Sequence, residues 1–394
     1  MAPLLLLGAT VAALVMGHRH VRPLVVIAVA IGVGTATRII PIGDVAQSLG
    51  PLVEPLAFLT AAVPLSMLLD RIGFFDAAAE RVAAHHRLRP SLWVFAAAVT
   101  TLFNLDTAIV LLTPLYIRIA RRHGLDPLTT AFQPVLLASL ASSALPVSNL
   151  TNLIVASSTG VGVGDFLVRL APASIIASTV GWWAFRRTSL RGREPVVIEE
   201  PGTPRSRDAL RVGVPVVLFL VVGFTAGAAV GLPAWAVASV GALVMIAVTR
   251  HIPWRSLPVD AIAVAGGLAL LAAATVDHLP LREVLGGEGP GAAVRTLAAG
   301  VLGANVMNNL PALLVGLPFV EPGALWSFLA GVNFGPILWI HGSLAGLLWL
   351  DIVRGHGLEI TPISYARVSV RVGLPALLAV SVVIVGTAGV IAAS

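Results

Sequence analysis

Four short polar stretches interrupt an otherwise apolar sequence. They are Asn104–Leu105–Asp106–Thr107, the run PVSNLTN ending at Asn152, the run NVMNNLP beginning at Asn305, and IHGSLAG spanning residues 340–346, with Asn333 shortly before the last. Amides, hydroxyls and glycines in this pattern suit a helix that is broken where no water reaches it. The break frees backbone donors and acceptors, which Asn, Ser and Thr can satisfy while still presenting groups to a solute. Half-helix N-termini add a positive dipole end. The candidate solute-binding residues are therefore Asn104, Thr107, Ser148, Asn149, Thr151, Asn152, Asn305, Asn308, Asn309, Asn333, Gly342 and Ser343. Asn149 and Asn152 can also act as helix caps, since Ser and Asn are favoured there; the two roles are compatible.

Asp106 is the one acid expected at a hairpin tip inside the membrane. A carboxylate near the bilayer centre costs about 2.5–3.5 kcal/mol on the insertion scale, so such residues usually mark ion or proton paths. A carboxyl that changes protonation within a cycle can exchange a proton for a solute. The bland reading is a carboxylate that only caps its helix. His341, just before Gly342, either titrates or serves as a neutral hydrogen-bonding group. Asp165, Asp277, His278, Asp351 and His356 fall near predicted helix ends and read as interfacial, and Met307 reads as packing.

The elements that must position these groups are membrane helices. Of 394 residues, 57% are hydrophobic and 11% charged, against about a quarter charged in a soluble domain. Apolar runs of about 20 residues recur from end to end and do not alternate as strands would. Spanning segments are expected near 3–18, 23–40, 52–70, 127–160, 168–186, 212–231, 233–249, 258–276, 324–353 and 364–392. The first run, lacking a basic segment before it, reads as a spanning helix and not a cleaved signal. Stretches 91–120 and 292–318 are broken midway and read as re-entrant hairpins, a backbone tolerated only when buried or lining a wet cavity. The expectation is an all-α polytopic membrane protein of about ten transmembrane helices and two re-entrant hairpins in two inverted-topology repeats.

Arginine placement supports this layout. All 25 basic residues are arginine, and cytoplasmic loops should hold most of them. With hairpin 91–120 approached from the cytoplasm and 292–318 from outside, only Arg38, Arg169, Arg282 and Arg295 fall outside, and both termini are outside. The expected repeats are 1–186, with hairpin 91–120 and broken helix 127–160, and 212–394, with hairpin 292–318 and broken helix 324–353. Between them lies a cytoplasmic linker, 187–211, rich in Pro, Arg and acids and read as a solvated tether. Paired interrupted segments in matching positions point to a transporter site between inverted repeats. The stretch RIGFFDAAAERVAAHHRLRP after the third helix either lies along the interface or is a solvated connector.

With no cysteine, disulfides, thiolate metal sites and thiol redox chemistry are excluded. No nucleotide loop, nucleophile–base set or metal cluster occurs, so neither an enzyme nor a cofactor is expected. The net charge of +6 follows from topology and does not indicate nucleic acid. Energy must come from a gradient or from a separate protein.

At these same stretches the sequence resembles the arsenite–antimonite efflux permease (ArsB) family of the ion transporter superfamily. The resemblance rests on LLDRIGFFD (68–76), NLDTAIVLLTP (104–114), SNLTNLIVA (148–156), MNNLPALLVG (307–316) and GVNFGPILWIHGSLAGLLWL (331–350). It implies ten spanning helices, two hairpins, a site between the halves, and export of trivalent arsenic or antimony hydroxide from the inner (plasma) membrane in exchange for protons. Asp106 matches the hairpin acid, Asn149 and Asn152 the first broken helix, Asn308 and Asn309 the second hairpin, and Gly342–Ser343 the second broken helix. Three positions depart: Leu105 stands where the family usually has Asn, Asn333 where it commonly has Asp, and His341 where it usually has an aliphatic residue. The expected partners are the bilayer, arsenite or antimonite, and protons, with a homodimer and a cytosolic ATPase left open by the sequence.

Three other readings stay open. A sodium–proton antiporter would use Asp106 and nearby oxygens for a hard cation. A carboxylate symporter would have to bring an anion to that acid without an intramembrane arginine. A channel subunit of an ATPase-driven pump would dock the ATPase on its basic cytoplasmic surface.

Overall fold

The computed structural model describes residues 1–17, 21–40, 43, 45–83, 87–188, 207–278 and 281–392. Among them are α-helices and short 3₁₀ turns, and no strand. The helices are α1 (Ala2–Gly17), α2 (Pro23–Ala36), α3 (Val45–Leu49), α4 (Val53–Arg71), α5 (Phe74–Ala83), α6 (Leu88–Phe103), α7 (Leu105–Arg122), α8 (Pro127–Leu140), α9 (Leu150–Thr159), α10 (Val163–Arg169) and α11 (Ala171–Phe185) in the first half. The second half holds α12 (Arg207–Thr225), α13 (Ala234–Thr249), α14 (Val259–Ala273), α15 (Arg282–Leu285), α16 (Gly289–Met307), α17 (Asn309–Gly316), α18 (Leu325–Phe334), α19 (Leu344–Gly355) and α20 (Pro362–Ala392). Residues 189–206 of the expected linker, with Arg19 and residues 84–86 of the expected interfacial stretch, lie outside the described residues.

The number of apolar helices agrees with the expectation, but their lengths do not all reach across a bilayer. Among the described residues, Val45–Arg71, Asp208–Thr225, Trp254–Ala273 and Pro362–Gly386 are long and apolar enough, and Val163–Arg169 with Ala171–Phe185, bent by 42°, reach that length only when taken together. Six further apolar helices among these residues are shorter, of 10–17 residues. At 1.5 Å per residue the 14 residues of α2 cover about 21 Å. The expected spans 127–160 and 324–353 are each two helices joined by extended backbone and 3₁₀ turns, Pro146–Ser148 in one and Gly335–Leu338 with Ile340–Gly342 in the other.

Each of the two stretches expected as hairpins is a pair of helices broken at an asparagine. α6 and α7 meet at Asn104, and α16 and α17 meet at Asn308. Each asparagine has a positive φ, 72° and 79°, with ψ of 148° and 153°, a region outside the left-handed helical well that side chains rarely adopt. Each then caps the next helix through its own side chain: Asn104 Oδ1 accepts from the Asp106 N–H at 3.0 Å and Asn308 Oδ1 from the Leu310 N–H at 3.4 Å.

Side chains close the hydrogen-bond gaps at the two breaks, in different ways. In the first half, the Ser142 and Leu145 carbonyls accept from Asn152 Nδ2 at 3.0 and 2.9 Å, and Ser148 Oγ donates to the same two carbonyls. In the second half the neighbouring hairpin does this work. Asn305 Nδ2 donates to the Gly335 carbonyl at 2.9 Å and Asn308 Nδ2 to the His341 carbonyl at 3.2 Å. Backbone at membrane depth requires such partners.

Packing does not follow the division into sequence halves. α4 packs on α13, α2 on α14, and α11 on α20. One layer contains the hairpins and broken helices with α11 and α20; the other consists of two groups, α1, α2 and α14 on one side and α4, α12 and α13 on the other, bridged by α3. α17 meets α14 and α9 meets α4 where the layers touch. Within the site-bearing layer, α16 crosses α18 at glycines. A Cβ on Gly300 would stand 2.6 Å from the Phe328 carbonyl oxygen, and one on Gly331 only 2.2 Å from that of Leu297. Within the stretch after α4, residues 74–83 form a packed helix and not a solvated connector. α5 buries Phe74, Phe75 and Ala79, and Asp76 and Glu80 reach Arg118 (2.7 Å) and Arg122 (2.9 Å) on α7.

Candidate functional site

Four helices, α7, α9, α17 and α19, begin at one cavity of about 120 Å³ between the layers. Its polar lining is Asp106, Asn149, Thr151, Asn308, Asn309, Ser343 and Asp260. Each half supplies one hairpin tip and one broken helix. The positive ends of four helix dipoles therefore face the cavity, and two carboxylates offset them. Among the described residues, no arginine or histidine lies on its walls.

Asp106 is the second residue of α7, fixed by the Asn104 cap. Its Oδ1 is buried and has no hydrogen-bond partner among the described residues. The matching position of α17 is Leu310, so the two hairpins share a backbone device while only one carries an acid there. Asn149 and Ser343 are matching N-caps, with φ,ψ of −149°,140° and −145°,157°. Asn149 Oδ1 accepts from the Thr151 N–H at 3.2 Å, and Ser343 Oγ from the Gly346 N–H at 3.4 Å.

A second group of the expected residues lies beside the cavity, off its wall. Asn333 Oδ1 accepts from Thr151 Oγ1 at 2.6 Å and from Asn149 Nδ2 at 3.2 Å, while its Nδ2 donates to Asn152 Oδ1 at 2.6 Å. This knot joins the two broken helices, and Asn152 and Asn333 are almost wholly buried. Ser148 is spent on backbone carbonyls, and Asn305 on Val301 and Gly335. Thr107, Asn104, Gly342 and His341 are also absent from the lining. A Cβ on Gly342 would stand 2.6 Å from Pro336 Cα, so glycine there permits close packing.

Asp260 was missed at the sequence level because it sits two residues inside a predicted span and looks interfacial. It is the second residue of α14, at the cavity mouth. Its carboxylate accepts from Arg22 Nη2 and from the Leu24 N–H, both at 3.3 Å, which ties α14 to the start of α2. Met307, read as packing, packs as expected and also forms part of the cavity wall.

Comparisons with known proteins agree with this architecture. Residues 5–341 match the citrate transporter (CitMHS) family. An arsenical pump membrane protein of Escherichia coli is 30% identical over 386 residues, covering 87% of this chain and 88% of that one. An arsenical pump membrane protein of Yersinia enterocolitica is 30% identical over 382 residues, covering 86% and 87%. A 46 kDa membrane protein of Mycobacterium leprae is 25% identical over 320 residues, covering 72% and 71%. Among solved structures, the Alcanivorax borkumensis YdaH transporter superposes with a TM-score of 0.61 at 15% identity, covering 88% of each chain; that likeness concerns the fold. A multi-pass helical membrane protein whose halves converge on one cavity, and which matches these relatives over most of its length, is a transporter. The chain belongs to the citrate transporter (CitMHS) family and, within the ion transporter superfamily, to its arsenite–antimonite permease (ArsB) members.

Proposed function

We propose that this protein exports trivalent arsenic or antimony hydroxide from the cytoplasm in exchange for protons, by alternating access. The observation that carries the reading is the cavity wall: amides, hydroxyls, four helix N-termini and two carboxylates, with no cationic side chain among the described residues. Trivalent arsenic hydroxide is a weak acid, uncharged at neutral pH, and resembles a small triol. Its oxygens accept from amide and helix-terminal N–H groups and its hydroxyls donate to carboxylate and amide oxygens. A citrate-like polyanion would meet Asp106 and Asp260 without a counter-charge on the wall among the described residues, and Arg22 is already engaged by Asp260. The absence of cysteine favours release, because no thiolate holds the metalloid.

Asp106 is the proposed proton-exchanging group, with Asn149, Thr151, Asn308, Asn309 and Ser343 as solute contacts. Asn104, Asn152, Asn305 and Asn333 hold these in place. The two inverted repeats, 1–186 and 212–394, are proposed to lie in the inner membrane with both termini outside and the linker in the cytoplasm. Because packing units combine helices of both halves, the moving bodies in this reading are the two layers and not the two sequence halves.

The test is transport in proteoliposomes under an imposed proton gradient, with arsenic and antimony followed by elemental analysis. Gradient-dependent metalloid flux that Asp106→Asn abolishes is the expected result. Full flux in Asp106→Asn would remove its role. A sodium-dependent proton flux without metalloid movement would favour the antiporter reading, to which the unpartnered Asp106 Oδ1 also lends itself.

A further inference from the structure

A second cavity, of about 270 Å³, lies where α4, α9, α12 and α13 meet. Its lining repeats that of the first in position. Glu54, Pro55 and Phe58 are the second, third and sixth residues of α4; Asp260, Ala261 and Val264 are the second, third and sixth of α14, and line the first cavity. Leu153 is the fourth residue of α9, and Leu347 the fourth of α19. Ala234 opens α13 as Pro23 opens α2. The last turn of α12 supplies Phe224 where that of α1 supplies Leu14.

The two mouths lie at opposite ends of the molecule. α13 starts beside Glu54, at Ala234 and Trp235, and runs 16 residues to Thr249. α14 then begins within ten residues, at the far end, with Asp260 in its first turn. The first cavity reaches both hairpin tips. The second touches neither and stops at Pro146, Val147 and Leu153, beneath Phe58. Phe58 is 1% exposed and meets Phe224 edge to face, with ring centroids 5.7 Å apart. The corresponding position in the first cavity holds the smaller Val264.

We propose that the second cavity is the opposite-side vestibule of the transport route, with Glu54 at its mouth and the Phe58–Phe224 pair as the plug between it and the site. This rests on the transport reading above. The first cavity then receives a small neutral polyhydroxyl solute from one face, and the second releases it at the other once Phe58 moves aside. The plug has no aromatic counterpart at the first mouth, so the resting protein is open toward Asp260.

The natural absence of cysteine makes single thiols clean reporters. Val264→Cys marks the first cavity, Ala156→Cys the body of the second and Leu153→Cys its floor. Each is reconstituted in oriented proteoliposomes and exposed to a membrane-impermeant maleimide from either face. The expected result is reaction of Val264→Cys and Ala156→Cys from opposite faces. Adding Phe58→Ala should raise the Leu153→Cys rate from the Ala156 face by about tenfold, a shift typical of a biased two-state element, and leave Ala156→Cys unchanged. Derivatised Ala156→Cys should also lose metalloid flux. Reaction of both thiols from one face, a Leu153→Cys rate indifferent to Phe58→Ala, or flux that survives derivatisation would each overturn the proposal. Opposite-face labelling in vesicles that move no metalloid would sustain the vestibule and remove the solute assignment. Metalloid flux with same-face labelling would do the reverse.

Discussion

Asp106 and Leu310 occupy the same place behind the same asparagine cap, yet one is a carboxylate and the other an alkyl group. The acid is therefore not needed to build a hairpin tip, which weakens the view that it serves only as a cap. The Asn333 knot carries the opposite lesson. Its three side-chain hydrogen bonds satisfy Asn149, Thr151 and Asn152 at once. Asn333→Leu is expected to destabilise the protein by about 1–3 kcal/mol for each group left unpaired, read as a lower melting temperature in detergent. Unchanged melting with lost transport would instead make Asn333 a solute contact. An Asp there, as the resemblance leads one to expect, could not donate to Asn152 Oδ1 when ionised.

Among the elements, hairpin 2 is held to its broken helix far more intimately than side-chain packing alone allows. Gly331 and Gly300 let α16 and α18 touch through backbone atoms, the small-residue packing typical of membrane helices. Gly331→Ala is expected to force the pair apart at a cost of about 1–3 kcal/mol, visible as reduced yield of monodisperse protein and a lower melting temperature. Gly164→Ala, with open space around its Cβ, is the control. The α5–α7 pairs are partly exposed, and such pairs contribute roughly 0.2–1 kcal/mol each. Asp76→Asn should thus lower stability by no more than about 1 kcal/mol, with the difference from the unmutated protein shrinking in high salt. A far larger loss would mean that Asp76 supports α7 beyond its ion pair.

At the scale of the whole molecule, interleaving decides how the chain can be divided. α2 needs α14, α4 needs α13 and α11 needs α20, so neither half can bury its own contact faces. Residues 1–188 and 207–394 expressed separately are expected to be degraded or to aggregate. Expressed together, they should copurify through a tag on one of them and recover metalloid transport. Recovery of a well-folded single half by size-exclusion chromatography would contradict the interleaved packing.

The sequence alone determined the membrane class, the hairpins, the broken helices and the acid at the first tip. Each follows from local chemistry: apolar runs of bilayer length, and polar residues that are costly at membrane depth unless they have a purpose. Only the tertiary structure decided which polar residues face the cavity and which hold it together. Asn149 and Asn152 lie within one SNLTN run, yet the first lines the wall while the second closes carbonyls on Ser142 and Leu145. Helix phase and chain breaks set that difference, and composition cannot supply them. Asp260 joined the site for a related reason. Its neighbours Arg22 and Leu24 are more than two hundred residues away in sequence, and only the packing of α14 on α2 brings an apparently interfacial acid to the mouth of the cavity.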